Sequence, residues 1–476
     1  MKEFFVLPLF SLFFLFSCSE TKKGGFIRVS SSNSRYFEYQ DGRAYIPIGL
    51  NICWERFETD EEKILALYEQ RFRILSENGG NYTRIWLSAP FFEVEHTAEQ
   101  EYDERIAQRI DKLLTHAEKY GIRVKFCFEN FRQLTNQPAP FSTSVPFDKP
   151  IYSTENKGSL RCMEEYFNSD KGRQLFINKV NFFAKRYTNN PIVFGWELWN
   201  EINTVNISGN TQCILDWTTD MLPCVKSVFP NHLVMQSLGS FDNLKGIDTY
   251  RSFMTIPTNE IAQVHRYLDP GASWDICRVA MDTLASNAVT EIRSIVADKP
   301  VLLSEVGAVE ANHAGPSKLY ERDTDGILLH DLLFAPYFSG AAGPGQSWHW
   351  DYYIEKNNLW WHFGRFTEAI KNTDPVRENY HPFYLQIDNI RIYGLNGQSN
   401  TLLWCRDALS DWSTELVEQK APENRKLILS LSRIGLDSYS SIRLYNPWAN
   451  NWSDQIPENG LINFDFKRSV VVRIDK

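Results

Sequence analysis

"PIVFGWELWNEI", residues 191–202, is the stretch on which the reading of this chain turns. Ile192, Val193 and Phe194, followed by two tryptophans, have the apolar density of a strand covered on both faces. A buried strand has no use for an amide and a carboxylate at its end, yet this one runs into Asn200 and Glu201. Taken alone, the pair fits an exposed loop or the acidic start of a helix as well as it fits chemistry. What decides is whether other strands end in the same way.

Upstream, "AYIPIGLNICW" (44–54) is an apolar strand ending at Asn51, and "NYTRIWLSAP" (81–90) carries Arg84. "IRVKFCFEN" (122–130) ends in Glu129 and Asn130. Downstream come "HLVMQSLGS" (232–240), "IAQVHRYLD" (261–269) with His265 and Tyr267, and "VLLSEVGA" (301–308) with Glu305. The last of the set is "AAGPGQSWHWD" (341–351), with Trp348 and Trp350. Between these strands the sequence predicts helices over 68–79, 103–121, 171–190, 215–230, 288–300, 325–340 and 362–372. Eight strands alternating with seven such helices call for a parallel sheet, and in one chain they fit a closed (β/α)8 TIM barrel better than an open sheet. Barrel chemistry sits at the C-terminal ends of strands, where these polar residues collect.

Glu201 then needs a partner, and Glu305 in "KPVLLSEVG" supplies it. Breaking a glycosidic bond with retention takes two carboxyl groups, one donating a proton to the leaving oxygen and one attacking the anomeric carbon. They must face each other across the sugar, so they come from the ends of different strands. A capping or salt-bridging role for Glu305 loses ground once "WNE" stands beside it.

"WELWNE" on the fourth strand, "LLSEVG" on the seventh, "HRY" on the sixth and Arg84 in "YTRIWLS" on the second together resemble clan A glycoside hydrolases. Within the clan, family 5-like enzymes and β-mannanases are the nearest likeness, over roughly residues 40–375. The resemblance implies Glu201 as acid/base and Glu305 as nucleophile. It also implies Asn200 on the sugar 2-hydroxyl, Tyr267 and Arg84 orienting Glu305, and His265 on the acid/base side. Trp348 or Trp350 would floor the subsite of the attacked sugar, and Asn51 joins the expected substrate-binding set. The stretch "GAAGPGQSWHWDYYI" (340–354) is unlike most family 5 eighth strands.

Two regions flank the barrel, whose expected span with its hairpin is 26–380. "FIRVSSSNSRYFEYQDGRAYIPIG" (26–49) alternates and turns at Asp41-Gly42, a hairpin placed to plug the barrel bottom. From 383 to 476 helical periodicity gives way to short strands with Asn/Gly/Ser turns, a small β-sandwich. Trp412, Trp448 and Trp452 make it a candidate carbohydrate-binding module, but the favoured reading is a domain packed against the barrel. The long, Pro-rich stretch 131–169 follows the third strand and is expected to shape the substrate cleft.

The N-terminus reads as an address. Residues 1–17 hold one Lys and then an apolar run to Phe16, too short to span a bilayer and suited to a signal peptide. Ser17-Cys18 resembles a lipoprotein processing site, with Cys18 as the lipidated residue and 18–25 as a tether. The expectation is an exported, outer-membrane or cell-surface protein, held to the membrane only by that lipid or else facing the periplasm.

Net charge is −9 with no basic block, which argues against nucleic acid. Aromatic residues make up 14 % of the chain, with 14 Trp, a composition suited to stacking on sugar rings. The eight cysteines form no CxxC, Cys127 reads as a buried thiol, and Cys213 and Cys224 are a candidate pair. No His/Cys spacing suits a metal, so no cofactor is expected, and the partner is a poly- or oligosaccharide met by a monomer. The rival readings are a non-catalytic surface glycan-binding lipoprotein and a barrel lyase or phosphate-using enzyme. The first would have lost one of the two acids, and no Gly-rich phosphate loop supports the second.

Overall fold

The computed structural model describes residues 24–134, 150–207, 211–436 and 438–476. The expected signal peptide, Cys18 and most of the tether lie outside the described residues. Strands β1 (Ile27–Val29), β2 (Phe37–Tyr39) and β3 (Ala44–Tyr45) form a small antiparallel sheet. Gly42, at φ +85°, makes the turn between β2 and β3, a backbone state glycine reaches without strain. Phe37 and Tyr45 pack on Tyr82, Phe194, Leu233 and Leu302, at the N-terminal ends of the barrel strands, so this sheet closes the barrel bottom.

Five barrel strands pair in parallel in sequence order: β4 (Gly49–Asn51), β5 (Tyr82–Trp86), β6 (Arg123–Asn130), β7 (Val193–Asn200) and β8 (Leu233–Met235). Strand β9 (Ala262–Leu268) pairs in parallel with β10 (Val301–Ala308). Backbone bonds from Glu260 to Val234 and from Phe241 to His265 join the two groups.

The eighth position departs from the sequence reading. Residues 341–351 make no strand, only a single parallel bridge from Ser347 to Val306. The Gly343-Pro344-Gly345 run explains this, since proline has no N–H to give a ladder and glycine resists a fixed extended form. Separate bonds close the barrel instead: Gln346 N–H donates to Leu303, Trp348 N–H to Val306, and Asn51 N–H to Ser347.

The outer helices are α1 (Glu61–Glu77), α2 (Glu104–Lys119), α3 (Met163–Asn168), α4 (Asp170–Tyr187), α5 (Thr211–Val228), α6 (Ile247–Met254), α7 (Met281–Ile295), α8 (Ile327–Phe338), α9 (Trp361–Ala369) and α10 (Pro375–Glu378). Helices α1 and α7 each begin seven residues before their expected starts, α1 behind the Asp60 cap and α7 with buried Met281 and Leu284. Helix α6 had no counterpart in the sequence reading. Cys213 and Cys224 lie eleven residues apart on α5, about 16 Å at 1.5 Å per residue, beyond disulfide reach.

The C-terminal region has strands β11 (His381–Ile387), β12 (Ile390–Asn396), β13 (Asn400–Asp407), β14 (Arg425–Ser430), β15 (Ser441–Asn446), β16 (Asn451–Asp454), β17 (Leu461–Phe466) and β18 (Ser469–Asp475). A six-stranded antiparallel sheet, ordered β11-β12-β13-β18-β15-β16, faces the β14-β17 pair across a core of Ile392, Leu403, Leu429 and Val472. Its other face meets the barrel. Helix α8 is buried on every side, and its Asp331 pairs with Arg406 of β13 at 2.7 Å. Trp412 donates to the Val279 carbonyl, Trp448 to Ser469 and Trp452 to Glu368 of α9. All three rings are committed to packing rather than presented to a ligand.

Candidate active site

Asn200, Tyr267 and Glu305 reach one mouth of the barrel from three different strands. Glu201 follows β7 in a left-handed backbone conformation (φ 51°, ψ 49°), uncommon for a residue with a side chain. Its N–H donates to Ser237 Oγ at 3.1 Å. Glu305 lies in β10 just after a register shift against β9, and its side chain lines the cleft.

One carboxylate oxygen of Glu201, one of Glu305 and a ring nitrogen of His265 all lie within 4.8 Å of one another. His265 Nδ1 is 2.7 Å from Glu201 Oε1 and 3.4 Å from Glu305 Oε2. Tyr267 donates its hydroxyl to Glu305 Oε2 at 2.8 Å, and Arg84 pairs with Glu305 Oε1. Arg84 also grips Glu197 at 2.6 Å and donates to Asn200 Oδ1 at 2.7 Å. Lys125 meets Glu197 from the other side at 2.9 Å.

These neighbours set the charges. Burial and then the charge of Glu305 push Glu201 well above the usual carboxyl range. Burial raises Glu305 too, but Arg84 and the Tyr267 hydroxyl pull against it. A proton entering the pair therefore settles on Glu201. Burial alone would raise Glu197, but Arg84 and Lys125 outweigh it and hold that carboxyl at about 2. Burial and then Arg84 push His265 well below its ordinary value, leaving a neutral imidazole.

The pair opens into a cleft of about 610 Å³ lined by Asn200, Glu201, Tyr267, Glu305 and Trp348, with Trp86 and Phe131 as further apolar walls. The arrangement can protonate an oxygen from one side and attack a carbon from the other. Glu201, His265 and Glu305 would also suit a divalent cation by donor type, and they are the trio among the described residues close enough to hold one.

A family model for cellulase, glycosyl hydrolase family 5, matches residues 48–327. The chain belongs to glycosyl hydrolase family 5. It is 23 % identical to mannan endo-1,4-beta-mannosidase 7 of Arabidopsis thaliana over 64 % of its own length and 75 % of that protein. It is 25 % identical to mannan endo-1,4-beta-mannosidase 5 of Solanum lycopersicum over 64 % of its length and 77 % of that one. A glycoside hydrolase family 5 structure from Bacteroides vulgatus ATCC 8482 superposes at TM-score 0.60 and 13 % identity, covering 95 % of this chain and 94 % of the other. A family 30 endoxylanase from Clostridium papyrosolvens C71 superposes at TM-score 0.52 and 12 % identity, covering 91 % and 97 %. These two likenesses carry the barrel with its appended β-domain, and the family makes the protein a clan A glycosidase.

Within this family 5 barrel the expected site residues divide. Asn200, Glu201, Tyr267, Glu305 and Trp348 line the cleft; Arg84 and His265 lie beneath it. Asn51 is a correction. Its amide donates to the Ser304, Gln346 and Ser347 carbonyls at 3.0–3.2 Å, so it fastens the barrel seam and does not face substrate. Trp350 is another, 1 % exposed and stacked edge-on against Trp54, which leaves Trp348 as the cleft ring. Of the 131–169 loop, residues 135–149 lie outside the described residues, while Phe131 lines the cleft and α3 gives Met163–Asn168 regular structure.

Sequence reasoning missed Glu197, Lys125, Trp86, Arg56 and His313. The first two had a signal, since an unpaired charge inside a buried strand is too costly to persist. His313 lines the cleft from a loop where it and Asn312 are both left-handed, and no sequence pattern marks such a position.

Proposed function

We propose that this family 5 enzyme hydrolyses β-linked polysaccharide of the mannan type by double displacement, with retention of anomeric configuration. The observation that carries the reading is the carboxyl pair itself, two glutamates within 4.8 Å in unequal surroundings. A spacing near 5 Å leaves no room for a water between them and suits direct attack. Glu305 attacks the anomeric carbon while Glu201 passes its proton to the departing oxygen, and the glycosidic bond breaks. Water then gives a proton to Glu201 as its oxygen replaces Glu305 on the same carbon. Asn200 holds the sugar beside Glu201, and Trp348 carries its apolar face.

The names of the plant relatives support mannan, and glucan is the second substrate, favoured by the description of the matching family model. Initial rates on mannan, glucan, galactan and xylan test this. The fastest turnover on mannan is expected, and activity confined to another backbone would overturn it. Binding of glycan without turnover of any aryl glycoside would favour the non-catalytic alternative.

We also infer export through residues 1–17, anchoring at Cys18 and action as a monomer on glycans arriving from outside. Cys18→Ala should leave the membrane fraction while keeping activity on soluble substrate. A variant that stays membrane-bound would refute the anchor.

A further inference from the structure

Ser237 lies two residues past β8, fully buried, and does not line the cleft. Its hydroxyl nevertheless touches both halves of the catalytic group. The Glu201 N–H donates to Ser237 Oγ at 3.1 Å, and Ser237 Oγ donates to Glu197 Oε1. That same carboxylate oxygen accepts from Arg84 Nη2 at 2.6 Å, and Arg84 Nη1 pairs with Glu305. One hydroxyl thus stands between the main chain of the acid and the side-chain relay that ends on the nucleophile.

The directions of these bonds follow from the partners. Glu197, ionised between Arg84 and Lys125, can only accept, so it takes the single hydroxyl proton. The oxygen lone pairs are left for the Glu201 N–H, and a hydroxyl that donates to a carboxylate is the better acceptor for it. The peptide it holds needs holding. Glu201 sits in the left-handed region at φ 51°, a state that a residue with a side chain keeps only where its surroundings over-determine it. The Glu201 carbonyl accepts from the N–H and the hydroxyl of Thr204, at 2.8 Å each, but these bonds lie within its own turn. Ser237 ties the turn to the next barrel strand. The Gly239 N–H adds a second tie by donating to Asn203 Oδ1 at 2.7 Å.

We propose that Ser237 is a positioning residue for both acids: its hydroxyl fixes the left-handed peptide that aims the Glu201 carboxyl, and through Glu197 it steadies the Arg84 side chain that holds Glu305. The inference rests on the retaining reading with Glu201 as acid/base, and it gives Ser237 no contact with the sugar. The larger effect falls on Glu201. Its main chain bonds Ser237 directly, whereas the path to Glu305 passes through Glu197, which Lys125 also holds.

The test sets Ser237→Ala beside wild type and Glu201→Ala on phenyl and dinitrophenyl β-glycosides of one glycone. Phenoxide is a poor leaving group and needs the proton of Glu201; dinitrophenoxide leaves without it. The quantity compared is kcat/KM, which covers the steps up to departure of the aryl group. Ser237→Ala should lose about tenfold to a hundredfold more on the phenyl glycoside than on the dinitrophenyl one, the effect of a slightly misplaced reacting group. The alkaline limb of its phenyl profile should move to lower pH, because a carboxyl that turns away loses the burial and the nearness of Glu305 that raise it. The charged and titratable neighbours of Glu201, namely Glu305, Arg84, Glu197, Asp242 and His265, are all kept in this variant. An equal loss on both substrates, or an alkaline limb that does not move, overturns the positioning role. Ser237→Cys, which keeps the volume but bonds weakly, carries the same comparison if the alanine variant does not fold. Glu201→Ala keeps the two readings apart. If its own loss ignores the leaving group, the acid/base reading fails; if its loss depends on the leaving group while that of Ser237→Ala does not, Ser237 alone fails.

Discussion

Tyr267 donates its hydroxyl to Glu305 Oε2 at 2.8 Å from the neighbouring strand, while Arg84 holds the other oxygen from across the barrel. A donor of this kind favours the ionised carboxylate. Removing it in Tyr267→Phe should raise the pKa of Glu305, so the acid limb of the kcat/KM profile moves to higher pH. Loss of a hydrogen bond to a charged group should also lower kcat/KM about tenfold or more. An acid limb that does not move would show that the hydroxyl serves packing alone.

Glu201 and Glu305 differ in surroundings and should differ in how they fail. Glu305→Ala should lose nearly all turnover on every substrate. Glu201→Ala should lose roughly 10²- to 10⁴-fold on substrates with poor leaving groups, which need protonation, and less on activated aryl glycosides. Azide should rescue Glu201→Ala as the β-glycosyl azide, since it attacks the glycosyl-enzyme without a base. Identical responses from the two variants, with no azide product, would remove the division of roles.

Glu197 touches no substrate, but it holds Arg84 and Lys125 in place. Its carboxyl falls from an ordinary 4.5 to about 2 in the folded chain. Because the folded value is the lower one, its contribution to stability is complete above about pH 4.5 and is lost as the pH falls towards 2. Glu197→Gln leaves two buried cations short of a partner and should cost about 3 kcal/mol at pH 7. Denaturant unfolding at several pH values should show the gap between variant and wild type closing as the solution is acidified. A gap that widens on acidification would contradict the assignment.

The barrel was legible because its strands are mostly apolar runs and most of its helices keep a clear period. Its eighth position was not, because closure there depends on single backbone bonds around Gly343-Pro344-Gly345, and no period of two survives. Helix α6 is eight residues long, too short for its spacing to stand out from a loop. At the site, Asn200, Glu201 and Glu305 could be read because each ends an apolar run in a polar group. Asn51 has the same appearance in sequence, and only its three carbonyl partners show that it serves the seam. Trp348 and Trp350 likewise cannot be separated by sequence, because both indoles meet Trp54 edge-on and only burial shows that Trp350 is enclosed while Trp348 faces the cleft.

Glu197 and Lys125 show the opposite case. Both sit within apolar strands that mark them as buried, and a search for opposite charges on nearby strands would have paired Glu197 with Lys125 and Arg84. Arg56 and His313 come from loops whose course depends on tertiary packing, so their arrival at the cleft leaves no trace in local pattern.

The most direct test of the account is the anomeric configuration of the first-formed product. Proton NMR of an aryl β-glycoside or a short β-linked oligosaccharide, followed from the first minutes of hydrolysis, separates the two anomers before mutarotation mixes them. Attack by Glu305 followed by attack of water inverts the anomeric carbon twice, so the β-anomer should appear first and the α-anomer only later. An α-anomer formed first would mean a single displacement by water and would contradict Glu305 as the nucleophile.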